Sequence, residues 1–136
     1  MAARTLTFLA MDPPYENARS TTLLRLVDAA IRKGMDVNVF AYEGAVNLPF
    51  AKQVPHANAV HGCDAVQEDH PNPKEWIAAL LVAAEKKGVK LDWINCGLCS
   101  DERGAGDAIP GVRRGTPADF WKWAESSTST LVIATR

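Results

Sequence analysis

An apolar run from Thr5 to Met11, closed by Asp12-Pro13-Pro14, is followed by a helical pattern that stops at Gly34 and a second strand-like run from Met35 to Tyr42. A strand apolar throughout, an amphipathic helix and another such strand make a parallel crossover unit, because parallel neighbours need a long connection that covers the sheet. The helix carries Leu23, Leu24, Leu26, Val27, Ala30 and Ile31 at helical spacing, with Ser20 or Thr21 as N-cap candidates. Glu43-Gly44 ends the second strand.

The alternation continues along the chain. From Ala45 to Asn72 prolines and histidines break every period, so this stretch reads as a long excursion over the C-terminal edge of the sheet, with room for a helical turn at Pro49 to Val54. Pro73 suits the first turn of a helix through Trp76, Ile77, Leu80, Leu81 and Ala84 to Gly88, and Val89 to Asn95 follows as a strand with Cys96 at its end. Leu98 to Arg103 predicts a short helix closed by Gly104, and Ile109 to Arg114 a brief strand. A last helix starts at Thr116-Pro117-Ala118-Asp119 and is drawn inward by Phe120, Trp121 and Ala124. Thr130 to Thr135 is the final strand. The class is α/β with a mainly parallel sheet, and 136 residues hold one domain, 1–136.

Composition narrows the function. No segment approaches the roughly 18 to 20 apolar residues needed to span a bilayer, and the N-terminal run is cut short by Asp12-Pro13-Pro14, so it reads as a buried strand of a cytoplasmic protein rather than a secretory signal. Fifteen basic and 16 acidic residues are interspersed, without the polybasic tract that direct nucleic-acid binding uses. Three cysteines, Cys63, Cys96 and Cys99, are too few for a disulfide framework, which leaves reduced thiols with chemistry of their own.

In open parallel sheets ligands bind beyond the carboxyl ends of the strands, where Cys96 falls. Backbone N–H groups at the start of the following helix favour its thiolate. A small buried hydrophobe finishing a strand is the competing reading, and position alone leaves both open.

The pattern around these residues resembles the DsrE/TusD-like sulfur-relay proteins (the DsrE/DsrF family) along nearly the whole chain. The anchors are the first strand with Pro13-Pro14-Tyr15, the strand ending Ala41-Tyr42-Glu43-Gly44, and Asn95-Cys96-Gly97-Leu98-Cys99-Ser100-Asp101-Glu102-Arg103-Gly104. In that family an Arg-Gly pair follows the persulfide-bearing cysteine at the spacing of Cys96, Arg103 and Gly104. The resemblance implies a three-layer α/β/α sandwich of about five strands and a sulfur carrier or sulfurtransferase. Cys96 would accept a sulfane sulfur from a donor protein and relay it to an acceptor protein, without metal or organic cofactor. It also implies a trimer or hexamer of one chain or of related chains. Asp12, Tyr15, Tyr42 and Glu43 end the first two strands and are expected to line the Cys96 pocket with Gly97 and Arg103; ordinary solvation in loops is the alternative. Asp101 and Glu102 stand where some relatives carry apolar or basic residues, and they oppose a neighbouring thiolate.

Other chemistry is weighed on the same residues. Cys96-Gly97-Leu98-Cys99 is also a CxxC, the spacing of dithiol–disulfide exchange, in which Cys99 resolves a bond to Cys96 or releases sulfide from its persulfide. A passive Cys99 is the alternative, and a non-catalytic oligomeric binding module the third reading of the chain. A structural zinc site needs four ligands; Cys63, His56, His61 and His70 are the only recruits beside the CxxC, in a polar loop where solvated histidines are the ordinary outcome, so no metal is expected. Gly104-Ala105-Gly106 lacks the third glycine of a dinucleotide fingerprint and reads as a hinge. Trp76, Trp93, Trp121 and Trp123 read as core or subunit packing.

Overall fold

The computed structural model describes residues 4–68 and 71–135. Strands β1 (Thr5–Ala10), β2 (Asp36–Ala41), β3 (Leu91–Cys96), β4 (Val112–Gly115) and β5 (Ser129–Ile133) form one sheet in the order β4-β3-β2-β1-β5, every neighbouring pair parallel. Helices α1 (Arg19–Arg32), α2 (Pro73–Lys87), α3 (Gly97–Glu102) and α4 (Pro117–Ser126) connect them, with a short 3₁₀ turn at Glu43–Asn47 after β2.

The strand order explains the layers. Connections from β1 to β4 step one way across the sheet and the last returns to the far side of β1, so right-handed crossovers put α1 and α2 on one face and α4 on the other. Phe8, Val37, Val39 and Trp93 point to the first face and pack with Leu23, Leu24, Val27, Ile31, Ile77 and Leu80 of α1 and α2. Their neighbours Leu9, Phe40 and Ile94 point to the second, where Phe120 and Trp123 of α4 meet them. The Phe40 and Phe120 rings lie 5.9 Å apart.

This second face is the more polar one. Asn38 donates to Thr7 Oγ1 at 3.1 Å, and Thr7 in turn shares a hydrogen bond with Ser127 beyond the end of α4. The α4 start has the expected form: the Asp119 carboxylate accepts from the Thr116 N–H at 2.8 Å, with Pro117 in the first turn.

Several boundaries differ from the sequence expectation. The α1 N-cap is Ala18, not Ser20 or Thr21; Ser20 is buried inside the helix and Thr21 Oγ1 donates back to the Ala18 carbonyl. The helical turn expected at Pro49 to Val54 lies earlier, at Glu43–Asn47. Ile109 is not in β4, because its N–H is taken by the Pro49 carbonyl instead of the ladder. β5 runs Ser129–Ile133 rather than Thr130 to Thr135: among the described residues its one neighbour is β1, and pairing ends where Ile133 meets Ala10. Among the described residues no helix is long and apolar enough to cross a membrane.

Candidate functional site

The period-two alternation of β3 decides what Cys96 faces. Trp93 and Asn95 turn toward the α1/α2 face, Ile94 and Cys96 toward α4, and Cys96 is both the last residue of the strand and the N-cap of α3. Ser100 Oγ donates to the Cys96 carbonyl at 2.9 Å, tying the helix to the strand end. Cys96 is 1% exposed and Cys99 5% exposed, both within a cluster with Phe40, Val46 and Ile94. The three cysteines are free thiols.

The turn after β2 supplies the other wall. Among the described residues Glu43 is one of two non-glycine residues with positive φ (+52°), and its N–H donates to Cys99 Sγ at 3.2 Å. Its carboxylate pairs with the Arg103 guanidinium, which also reaches the Cys99 carbonyl at 3.5 Å. Gly44 permits this turn: a Cβ there would lie 2.8 Å from the Pro13 ring, so the loop after β1 rests directly on its backbone. Below the turn, Asn95 Nδ2 donates to the Val46 carbonyl at 3.1 Å and Asn95 Oδ1 accepts from Trp93 Nε1 at 3.3 Å.

Burial pushes the Cys99 thiol up, to about 11; the Glu43 N–H works against this, while the adjacent Cys96 sulfur works with it. With its proton held up to about 11, Cys99 is a neutral thiol at physiological pH. Tyr42 borders the cluster, and its hydroxyl is held above its usual value by the charge Cys99 carries once it ionises in alkali and by that of Glu43.

A residue that the sequence reading did not single out completes the surroundings. A Cβ on Gly97 would lie 2.5 Å from Arg114 Nε, so the Arg114 side chain lies across the first residue of α3. Arg114 donates to both oxygens of Asp101, at 2.9 and 2.6 Å, and these bonds hold Asp101 below the usual carboxylate range. The acid expected to oppose a Cys96 thiolate is thus matched by an arginine from the next strand. Only the pairing of β4 with β3, Asn95 beside Arg114 and Cys96 beside Gly115, brings it there.

Of the residues expected around Cys96, the structure brings together Cys99, Tyr42, Glu43, Gly97 and Arg103. Asp12 and Tyr15 have other partners. Asp12 is 5% exposed and accepts from Asn17 at 2.9 Å and Arg19 at 3.2 Å. Its burial opposes ionisation, but hydrogen bonds from Thr135, Asn17 and Arg19 outweigh this and hold it below the usual carboxylate range. Tyr15 donates to the Pro71 carbonyl at 2.8 Å and meets the His56 ring edge-on. These two residues order the loops after β1 and before α2.

The remaining candidates lie apart. Cys63 is backbone-paired with Asn58 in the long loop, and the Asn58 side chain contacts His61 and Glu68. His70 lies outside the described residues. A cleft of about 550 Å³ runs along α3 between Asn95, Ser100, Asp101, Asp107, Arg113 and Arg114, and neither sulfur lines it. Trp93 and Trp76 pack in the α1/α2 core and Trp123 under α4, whereas Trp121 is exposed.

The fold is that of solved structures. The chain is similar to the YchN protein from E. coli, with 22% identity, 95% of this chain and 98% of that one covered, and a TM-score of 0.71. It is also similar to a conserved protein of unknown function, BT1422, from Bacteroides thetaiotaomicron, with 11% identity, 94% and 93% covered, and a TM-score of 0.57. No curated protein matches the sequence. A family model, described as DsrE/DsrF-like, matches residues 4–133. With that match spanning nearly every residue of the sheet, its helices and the cysteine turn, the chain belongs to the DsrE/DsrF-like family, a family associated with sulfur relay.

Proposed function

We propose that this chain is a sulfur carrier of the sulfurtransferase kind in which Cys96 holds a sulfane sulfur as a persulfide and passes it between a donor and an acceptor protein in the reducing cytoplasm. The observation that carries the reading is the position of Cys96 at the β3–α3 junction, in a chain matched by the DsrE/DsrF-like family model from 4 to 133. In loading, the Cys96 thiolate attacks the terminal sulfur of the donor persulfide. The donor S–S bond breaks, a new one forms at Cys96, and the electron pair leaves on the donor thiolate. No outside oxidant or reductant is consumed.

The dithiol reading is weaker because Cys99 is buried, accepts a hydrogen bond and is held neutral, and a resolving nucleophile has to be a thiolate. Incubating the reduced protein with a small persulfide donor is expected to add about one sulfur mass, roughly 32 Da, to wild type and Cys99→Ser but not to Cys96→Ser, reversibly by reductant. Loss of two hydrogens requiring both cysteines, with no sulfur adduct, would overturn the carrier reading in favour of dithiol exchange.

The same reading has the chain working as a homo-trimer or homo-hexamer, or mixed with related subunits. Its support is the apolar surface left open around the site and the α4 side of the sheet, at Leu98 on α3, Trp121 on α4 and Val132 on β5. Sedimentation equilibrium is expected to return a mass three or six times the 14.7 kDa of one chain. A monomer at micromolar concentration sinks the homo-oligomer.

A further inference from the structure

We propose that Cys99 is a positioning residue whose S–H, backed by the Glu43 N–H, donates a hydrogen bond to the Cys96 sulfur and stabilises it as a thiolate during sulfur transfer. The inference deepens the carrier reading and rests on it for its purpose.

The geometry comes first. Cys96 caps α3 and Cys99 sits three residues later in its first turn, so the two side chains share one side of the helix. Both are closed within the same apolar cluster. Cys99 Sγ accepts from the Glu43 N–H at 3.2 Å, which occupies the sulfur as an acceptor and leaves its one hydrogen for another partner. Phe40, Val46 and Ile94 offer no side-chain acceptor; the Tyr42 hydroxyl and the Cys96 sulfur do, and of these Cys96 lies within one turn of Cys99 at the start of α3 and within hydrogen-bonding reach of its thiol.

The backing donor is held at a cost. A left-handed backbone at a non-glycine residue is unfavourable by roughly 1–2 kcal/mol, yet Glu43 keeps φ +52°. The Arg103 ion pair on its side chain and the Pro13 ring against Gly44 hold it there. Strain of this kind, fixed by its surroundings, accumulates at functional sites.

Burial keeps the Cys99 proton in place, with the thiol at about 11. A group that stays protonated donates a hydrogen bond at every physiological pH and is a poor nucleophile. That suits the unloading step. An acceptor thiolate attacks the terminal sulfur of the Cys96 persulfide, the S–S bond breaks, and the electron pair returns to Cys96 Sγ. The Cys99 S–H donates to that developing anion without giving up its proton, so atoms and charge balance between acceptor and carrier alone.

The charged and titratable groups around the pair are Tyr42 and Glu43 after β2, Asp101 and Glu102 on α3, Arg103 just after it, and Arg114 on β4, all unchanged in the test. Iodoacetamide alkylation of Cys96, read by peptide mass, is compared at about pH 7 and pH 10 in wild type, Cys99→Ala and Cys99→Ser. Taking the ratio of the two rates cancels any change in access, leaving the thiolate fraction. Cys99→Ala is expected to lower the pH 7 to pH 10 ratio about tenfold, and Cys99→Ser, whose hydroxyl accepts from Glu43 and donates to Cys96, to restore it to within about threefold of wild type. An unchanged ratio in Cys99→Ala, or an equal fall in both variants, overturns the proposal. Sulfur uptake in the mass experiment is a separate readout: uptake with an unchanged ratio removes the Cys99 role and leaves the carrier, and a fallen ratio without uptake does the reverse.

Discussion

Alanine in place of Trp93 is expected to lower the stability of the fold by about 3–5 kcal/mol, a large part of the roughly 5–15 kcal/mol that holds an ordinary domain folded. Trp93 is fully buried at the middle of β3, between β2 and β4, and packs on the α1/α2 side. Truncation removes its contacts and also the donor to Asn95 Oδ1, whose amide holds the Val46 carbonyl. Urea unfolding followed by far-UV circular dichroism is expected to show a midpoint lower by more than about 1 M. Trp93→Phe keeps most of the packing and loses only the donor, at about 1–3 kcal/mol. A Trp93→Ala midpoint indistinguishable from wild type would contradict the packing described for β3.

The second large effect concerns access to Cys96. With 1% of its surface exposed, it is expected to react through a local opening of the structure around it. Iodoacetamide at about pH 10, where an ordinary thiol in the denatured chain is ionised, is expected to modify Cys96 at least about 100-fold more slowly in the folded protein, the factor set by an opening free energy of roughly 3 kcal/mol. Arg103→Ala removes the partner of Glu43 and the contact to the Cys99 carbonyl, and is expected to speed the folded-state reaction by up to about fivefold, since the ion pair is partly exposed. Equal rates in folded and denatured chains would show that the thiol is open at rest.

Much of this architecture is legible in the residue pattern. The apolar runs of β1, β2 and β3 and the glycines after α1 and α2 mark element type well, because burial on both faces leaves no other reading for Thr5 to Met11 or Val89 to Asn95. Ends are less legible, since Ser20 and Thr21 look like caps from composition, yet the helix starts before them, from Ala18 as its N-cap, and its first N–H, that of Arg19, is taken at 2.8 Å by the Asn17 side chain. Cys96 at a strand end is readable from the chain alone. What surrounds it depends on tertiary geometry: the left-handed Glu43 that aims an N–H at a sulfur 56 residues away, and the strand order that lays Arg114 across Gly97. Asp12 shows the limit of reasoning from strand ends, because a carboxylate beyond β1 has Asn17 and Arg19 closer to hand than anything beyond β3.

The cover over Cys96 comes partly from later in the chain. Phe120 and Trp123 of α4 close the second face of the sheet over the cluster that holds both thiols. The ribosome adds roughly 5–20 residues per second, so a nascent chain carries Cys96 for roughly 1–5 s before those residues exist. The burial that selects what reaches this sulfur is therefore a property of the finished fold, set only once synthesis has passed Trp123, and not of the β3–α3 segment alone.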